Sequence, residues 1–321
     1  MGIASSDERR AFKKTGLSLR YTLYAIRSRN NNIMNNELKL LGTHDFPPLL
    51  REIADPPTQL YMRGELPTRE MKWLAVVGSR ACTQYGRQGV KHLVGGLRGQ
   101  PVVIVSGLAY GIDAEAHRAA LDAGLTTVAV PGSGLDWTVM YPKANIGLAR
   151  QILDMGGALV SEFPPDQQAR DYMFAQRNRI MVGLSHATLI VEAKERSGSL
   201  ITARLATEYN RELLVVPGSI FSPESKGTHQ FLRLGATAVG SPEEILQALG
   251  IAKSGGPKIL AELRTDLSPA EIRVIEIIAT PCSREHLLTE LALPITDANI
   301  LLSTMEIKGL IVEELGVVRC S

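Results

Sequence analysis

Between residues 73 and 249 the chain alternates short apolar runs with longer stretches of mixed polarity. The clearest runs are residues 73–77 and 102–105. Unbroken apolar runs are typical of strands in a parallel sheet that is covered on both faces. Similar runs predict strands near residues 127–130, 158–160, 187–191, 213–216 and 237–239. Because helical stretches separate these runs, the pattern predicts βαβ units and a doubly wound, mostly parallel α/β sheet.

The two ends of the chain differ from this alternating region. Residues 1–44 are a polar, basic leader, in which residues 17–26 could form a helix, and a proline-rich stretch and a short strand near residues 59–62 follow it. Residues 252–257 (AKSGGP) are typical of a linker between domains. Beyond them, Ser268, Pro269 and Glu271 form a helix start. Three helices and a terminal hairpin are predicted over 258–321, an arrangement typical of a winged helix.

Composition and charge narrow the function classes. The 321 residues are 45% hydrophobic and 21% charged, with a net charge of +2, as in ordinary globular proteins. Residues 1–45 hold eight Lys/Arg against four Asp/Glu, and residues 258–321 hold six against ten. No apolar run is long enough to span a bilayer and no signal-peptide core is present, so we expect a cytoplasmic protein. The three cysteines and six histidines lack disulfide or metal-ligand spacing, and no cofactor or metal is predicted.

Turns of small residues follow four of the predicted strands. They comprise Gly78-Ser79-Arg80, Ser106-Gly107, residues 131–134 and residues 217–219. If the strands are parallel, these turns meet at one edge of the sheet, where ligands of open α/β sheets bind. Small residues let backbone N–H groups approach a phosphate closely. The turns therefore predict an anion-binding edge, with Arg80 adding a full positive charge.

Further cationic and hydroxyl side chains extend this predicted edge. The candidates are Phe174, Arg177, Asn178 and Arg179 in one helix, Lys194, Ser197 and Ser199 at the start of another, and Lys143 with Asn145 as an additional wall. Paired arginines can hold successive phosphates or stack on bases. A helix start with free hydroxyl groups also favours phosphate. Solvated charges on ordinary helices are the alternative interpretation.

Evidence for catalysis is weaker. No GxGxxG follows a strand and no GxxxxGK[ST] occurs, so neither a dinucleotide site nor a Walker-type ATPase is predicted. Asp113 and His117 have i, i+4 spacing and could form an acid–base pair. The same two residues could equally be a helix cap and a hydrogen-bonded buried histidine.

The ordered motifs resemble those of one known family. GSR at 78–80, SGLAYGID at 106–113, AH at 116–117, YPKAN at 141–145, SEFPP at 161–165, RNRI at 177–180, SGSLITA at 197–203 and VPG at 216–218 occur in the order seen in the DprA/Smf family. The resemblance covers about residues 45–250. It implies an extended Rossmann-like domain over 45–251 that binds single-stranded DNA, often as a dimer, and loads a RecA-type recombinase during natural transformation.

The resemblance also implies which residues hold DNA. These are Arg80 and its turn, Gly107, Lys143 and the segment 177–179. The sequence departs from the family pattern in one motif, because the proline of the usual FPxRNR is missing from residues 174–179. We also expect the helical N-terminal domain common in the family to be missing or shortened.

Three hypotheses follow from the sequence. The first is a single-stranded-DNA-binding protein that is not an enzyme. The second is a nucleotide-processing enzyme of the lysine-decarboxylase-like phosphoribohydrolase type, in which Asp113, Glu162 and Glu192 would supply acid–base chemistry. The third concerns the acidic C-terminal module, whose charge favours contact with a protein, or dimerisation, over reading a DNA groove.

Overall fold

The computed structural model describes residues 37–67, 70–195, 197–251, 267–278, 282–308, 310–314 and 316–320. The chain divides into two compact units, the first ending at Gly250 and the second beginning at Ile251. The helix predicted near residues 17–26 and the linker predicted at 252–257 lie outside the described residues. None of the helices in the described ranges is long and apolar enough to cross a lipid bilayer.

The first unit is built on one nine-stranded sheet. Its strands are β1 (Lys39–Gly42), β2 (Gln59–Gly64), β3 (Lys72–Val77), β4 (Val102–Ser106), β5 (Thr126–Ala129), β6 (Ala158–Ser161), β7 (Ala187–Ile190), β8 (Glu212–Val215) and β9 (Thr237–Ala238). They lie in the order β1-β2-β6-β5-β4-β3-β7-β8-β9. The pairs from β6 to β9 are parallel, whereas β1–β2 and β2–β6 are antiparallel. The predicted mostly parallel sheet is therefore confirmed.

Helices follow most of these strands. They are α1 (Pro48–Arg51), α2 (Gln84–Gly95), α3 (Ile112–Asp122), α4 (Ile146–Asp154), α5 (Asp171–Leu184), α6 (Gly198–Glu208), α7 (Lys226–Arg233) and α8 (Pro242–Ala248). From β3 onwards, the direction in which successive strands are added to the sheet reverses once. Strands β3 to β6 add in one direction, and α5 then carries the chain back to β7 on the other side of β3. Right-handed crossovers of opposite direction place the two sets of helices on opposite faces.

The apolar residues of the strands are divided between these two faces. On one face, Val103 and Val105 of β4 share a core with Ile180 and Met181 of α5. On the other, Leu159 of β6 packs in a separate core with residues of α4. Burial on both faces explains why the strands have continuous apolar runs rather than alternating ones.

The beginning of the described chain extends the sheet. Residues 37–44, which fall within the predicted basic leader, form β1 and the first part of a 3₁₀ turn (Thr43–Asp45). Strand β1 pairs with β2, and Phe46 and Leu50 beyond it are buried. The sheet of the first unit therefore includes residues that precede the predicted boundary at residue 45.

The second unit has its own core. Helices α9 (Pro269–Ile277), α10 (Arg284–Leu291) and α11 (Ile295–Ile307) accompany strands β10 (Cys282–Ser283), β11 (Ile311–Glu314) and β12 (Val317–Cys320). The strands form an antiparallel sheet in the order β10-β12-β11. These elements agree with the helices and hairpin predicted for this region, and the winged-helix assignment stays a prediction.

Candidate functional site

A cleft of about 440 Å³ opens where the order of the sheet reverses. Its walls come from the turn after β3, the segment after β7 and the first half of α5. Candidates that line it are Gly78, Ser79, Arg80, Phe174, Arg177, Asn178, Lys194, Ser197 and Ser199. The connections that follow the adjacent strands β3 and β7 run to opposite sides of the sheet here, and this divergence leaves a crevice between them. The carboxyl edge of the sheet, where the sequence predicted an anion site, thus contains a cleft.

Arg80 provides exposed positive charge at this cleft. Strand β3 ends at Val77, and Arg80 follows the Gly78-Ser79 turn with its side chain exposed. Its guanidinium carbon lies 4.6 Å from the ring centroid of Phe174, a cation–π contact. Among the described residues, no carboxylate lies within 4 Å of the guanidinium nitrogens. Arg80 is therefore positioned by a ring and still has its hydrogen-bond donors available for an anion.

Phe174 also begins a row of aromatic rings. Its ring centroid lies 5.6 Å from that of Tyr141, which lies 6.4 Å from Tyr110 in an edge-to-face arrangement. A Cβ atom on Gly132 would overlap the Phe174 ring, so the turn after β5 must be small for the ring to lie there. Tyr110 and Tyr141 are both exposed. The row presents flat apolar surface beside a cation.

A buried ion pair forms the floor of the cleft. Arg177 Nη2 lies 3.7 Å from Asp113 Oδ2, and both residues are almost fully buried. Arg177 also donates hydrogen bonds to the carbonyl oxygen of Val130 and to Asn178 Oδ1. Burial lowers the pKa of Arg177 to about 10, with Asp113 acting in the opposite direction, and burial raises the pKa of Asp113 despite Arg177. Arg177 remains charged at neutral pH.

Gly107 makes this floor possible. A Cβ atom on it would overlap the Arg177 guanidinium, although Gly107 itself does not line the cleft. The adjacent Ser106 is fully buried and donates from Oγ to the Val76 carbonyl oxygen at 2.6 Å. Asn145 is likewise buried, and its amide donates to the carbonyl oxygens of Leu108 and Ala109. Ser106, Gly107 and Asn145 therefore stabilise the backbone around the cleft and do not line it.

The segment after β7 forms the opposite wall. Lys194 is exposed and its Nζ lies 3.1 Å from Glu224 Oε1. Ser197 occupies the N-cap position of α6, and Ser199 lies in its first turn. Asp171 also lines the cleft, at the start of α5, where a carboxylate is favoured by the helix dipole. This wall combines one cation with the N-terminus of a helix.

Two cationic candidates lie outside the cleft. Lys143 is exposed in a 3₁₀ turn (Lys143–Asn145) after β5. Arg179 pairs with Glu162 at 2.5 Å and with Asp55 at 3.3 Å. Positions two residues apart on a helix point in different directions, so Arg177 and Arg179 cannot hold successive phosphates in this cleft. Our expectation for Arg179 does not fit the geometry.

Exposed aromatic residues also occur along the carboxyl edge of the sheet beyond the cleft. In the described part of the chain, the aromatic side chains classed as exposed are Tyr85, Tyr110, Tyr141, Tyr172 and Phe221. Each follows the carboxyl end of a parallel strand, respectively β3, β4, β5, β6 and β8. None of the five is among the candidate contacts predicted from the sequence. An aromatic residue in the connection after an apolar run was the signal that could have found them.

The carboxylates proposed for the enzyme hypothesis are dispersed. Asp113 lies in the cleft floor, Glu162 pairs with Arg179, and Glu192 accepts hydrogen bonds from Thr83. His117 does not pair with Asp113. It is fully buried, its Nδ1 lies 2.7 Å from Thr127 Oγ1, and burial lowers its pKa to about 3. This geometry favours the hydrogen-bonded buried histidine over the acid–base pair.

Comparison with known proteins gives consistent matches. Residues 37–250 match the family model of DNA recombination-mediator protein A. Protein Smf of Escherichia coli (strain K12) is 45% identical over 215 residues, which are 67% of this chain and 57% of that protein. The chain thus matches a little over half the length of that relative.

Two solved structures are similar to about two thirds of this chain. The X-ray structure of DNA processing protein A (DprA) from Streptococcus pneumoniae has a TM-score of 0.62 and 39% identity, over 68% of this chain and 77% of that one. DNA processing protein A from Helicobacter pylori, studied for its single-stranded DNA binding mode, has a TM-score of 0.59 and 30% identity, over 67% and 96% respectively. Since the family model spans the described first unit up to Gly250, this chain belongs to the DNA recombination-mediator protein A family, that of DprA and Smf.

Proposed function

We propose that the protein binds single-stranded DNA along the carboxyl edge of its sheet and is not an enzyme. The single observation that carries this proposal is the exposed Arg80 guanidinium held over Phe174 at the mouth of the cleft. Its charge attracts a phosphate, while the rings of Phe174 and Tyr141 offer surfaces on which bases can stack. This combination suits an unpaired strand, whose bases are free to stack.

The distribution of aromatic residues supports a polymeric ligand. Exposed rings follow five different parallel strands, so they extend well beyond the space that one nucleotide fills. Single-strand-binding proteins combine such stacking surfaces with a cationic track. The relative from Helicobacter pylori was studied for single-stranded DNA binding, which supports the same ligand here.

The enzyme hypothesis has less support. It requires Asp113, Glu162 and Glu192 to act on one substrate, yet Glu162 and Glu192 are engaged with Arg179 and Thr83 respectively. Hydrolysis of a nucleoside monophosphate by the purified protein, with release of the free base, would favour that hypothesis over ours.

Family membership supports a proposal about the partners. We propose that the protein acts in the cytoplasm as a homodimer, protects incoming single-stranded DNA and loads a RecA-type recombinase onto it during natural transformation. RecA filament formation on DNA coated with a single-strand-binding protein, measured with and without this protein, tests the loading step.

The DNA proposal is tested with Arg80→Ala. Loss of a charge-assisted contact to phosphate should weaken binding of a single-stranded oligonucleotide by about tenfold. If about four phosphates are neutralised, log affinity should fall with log salt concentration at a slope near −3, and the variant should flatten that slope by about 0.7. Fluorescence anisotropy at several salt concentrations measures both quantities.

A matched control removes the same charge elsewhere. Arg233 is exposed in the last turn of α7, away from the carboxyl edge, and Arg233→Ala should leave affinity and slope nearly unchanged. Equal losses in the two variants would mean that general charge, rather than the cleft, holds DNA. An unchanged salt slope in Arg80→Ala would remove Arg80 from the site.

A further inference from the structure

A second cleft, of about 450 Å³, lies beside the first at the carboxyl ends of β7 and β8. Residues that matter here are Thr83, Tyr85, Glu192, Ser219, Ser222 and Ser225, all of which line it. Of these, only Ser219, in the turn at residues 217–219, belonged to the predicted anion-binding edge. The cleft combines one aromatic wall, several hydroxyl groups and one buried carboxylate.

Tyr85 is a fixed aromatic wall. It lies in the first turn of α2 and is 52% exposed. Its hydroxyl donates a hydrogen bond of 2.6 Å to the carbonyl oxygen of Pro217. This bond ties α2 to the turn that follows β8. Because both ends of the side chain are anchored, the ring costs little entropy when a ligand stacks on it.

The turn after β8 carries a second aromatic ring, which is exposed to solvent. Phe221 is 90% exposed and the neighbouring Ile220 is 75% exposed. The backbone N–H of Phe221 donates to Ser219 Oγ at 3.2 Å, and that of Ser222 donates to the Ser219 carbonyl oxygen at 3.0 Å. A hydrogen-bonded turn that keeps two large apolar side chains exposed marks a contact surface.

Glu192 indicates which part of a nucleotide enters this cleft. It is 3% exposed and accepts from Thr83 N–H at 2.9 Å and from Thr83 Oγ1 at 2.5 Å. Its negative charge repels a phosphate. Its remaining lone pairs, with the hydroxyl groups of Ser219 and Ser222, suit the N–H groups of a base.

We infer that the second cleft is a further nucleotide subsite, in which an unpaired base of the same DNA strand stacks against Tyr85 and reaches Phe221. Phe221 does not line the cleft itself but lies between Ser219 and Ser222, which do. The two clefts are neighbours, because Ala81 lines the first and Thr83 the second, and Lys194 and Glu192 are divided in the same way. A strand held by Arg80 can therefore continue into it. This inference rests on the proposed function.

The test compares Phe221→Ala and Arg80→Ala on two oligonucleotides. One has about 4 nucleotides and fills the first cleft, and the other has about 16 and can reach both. Loss of one stacking residue should weaken binding of the long oligonucleotide about fivefold or more. Phe221→Ala should leave the short one unaffected. Because stacking releases no counterions, the salt slope should not change, whereas Arg80→Ala should weaken both oligonucleotides and flatten the slope.

Controls separate the possible failures. Leu40 is 59% exposed on β1, at the other end of the sheet, and Leu40→Ala should bind both oligonucleotides like the wild type. Tyr85→Ala should resemble Phe221→Ala, while Tyr85→Phe, which keeps the ring, should lose less. Wild-type binding of the long oligonucleotide by Phe221→Ala would overturn the inference and leave the proposed function intact.

Two other results are also decisive. No effect of Arg80→Ala on either oligonucleotide would contradict the proposed function itself. A change in oligomeric state of Phe221→Ala, measured by sedimentation, with unaltered DNA binding would make the turn a contact between copies of the chain and overturn the base subsite.

Discussion

Three arginines near the first cleft carry the same charge in three different environments. Arg80 is exposed over an aromatic ring, Arg177 is buried against Asp113, and Arg179 is paired with Glu162 and Asp55. A guanidinium that is already paired must lose that partner before it holds a phosphate. Of the three, Arg80 is therefore the residue whose charge is most available to an incoming anion, and Arg177 is a structural support.

At the same scale, His117 makes stability depend on pH. The folded-state pKa of His117 is about 3 instead of 6.5. Between about pH 3 and pH 6.5, His117 is therefore protonated in the unfolded chain and neutral in the folded one. The free energy of unfolding should therefore fall as pH decreases from about 6.5, by up to about 1.4 kcal/mol per pH unit from this residue. His117→Asn, which stays neutral, should lose that contribution. Urea unfolding at pH 7, 6, 5 and 4 measures the slope, and equal slopes in both proteins would contradict a neutral buried histidine.

At the scale of elements, the start of α9 shows which features were readable from sequence. Ser268 Oγ accepts from the N–H of Glu271, and Glu271 accepts from the N–H of Ser268, as the local pattern predicted. All of this information lies within four consecutive residues. The contact of Lys308 Nζ with Glu271 at 2.7 Å comes from a distant helix end and could not be predicted in that way.

Glu271 gives a prediction for this element. The hydrogen bond from Lys308, followed by those from Ser268, lowers the pKa of Glu271 from 4.5 to about 2. A carboxylate with a lowered pKa stabilises the fold above its unfolded value, and this stabilisation is lost as pH falls from about 4.5 towards 2. The melting temperature of Glu271→Gln should be lower than that of the wild type at pH 6, and the difference should shrink as pH approaches 2. Differential scanning calorimetry across this range measures it.

A control on the same helix isolates the cap. Glu276 is exposed in α9, and Glu276→Gln should change the melting temperature little at any pH. A gap between Glu271→Gln and the wild type that stays constant from pH 6 to 2 would show that packing, not charge, explains it.

At the scale of the whole molecule, the sequence predicted the parallel part of the sheet better than its edge. Strands β3 to β8 were visible because each is largely buried and therefore mostly apolar. Strand β1 escaped prediction because it has four residues, three of them exposed. Its pairing with β2, and that of β2 with β6, depends on long-range contacts that no local pattern records.

The division into two units leads to a prediction at this scale. Both clefts are lined entirely by residues of the first unit. A chain truncated after Gly250 should therefore bind a single-stranded oligonucleotide within about twofold of the full chain and with the same salt slope. Anisotropy measures affinity, and sedimentation of both proteins measures oligomeric state. A large loss of affinity would assign DNA contacts to the second unit, and a changed oligomeric state alone would assign it to assembly.

The spacing of the strands has a consequence for the length of DNA that the proposed site would cover. Exposed aromatic residues follow strands from β6 to β8, which are separated by five interstrand gaps, or about 24 Å at the usual strand separation. Because backbone hydrogen bonds fix the separation of the strands, they also fix the distance that these aromatic residues span. The number of nucleotides occluded per bound protein should then be an invariant, unaffected by ionic conditions that alter how tightly the strand is held.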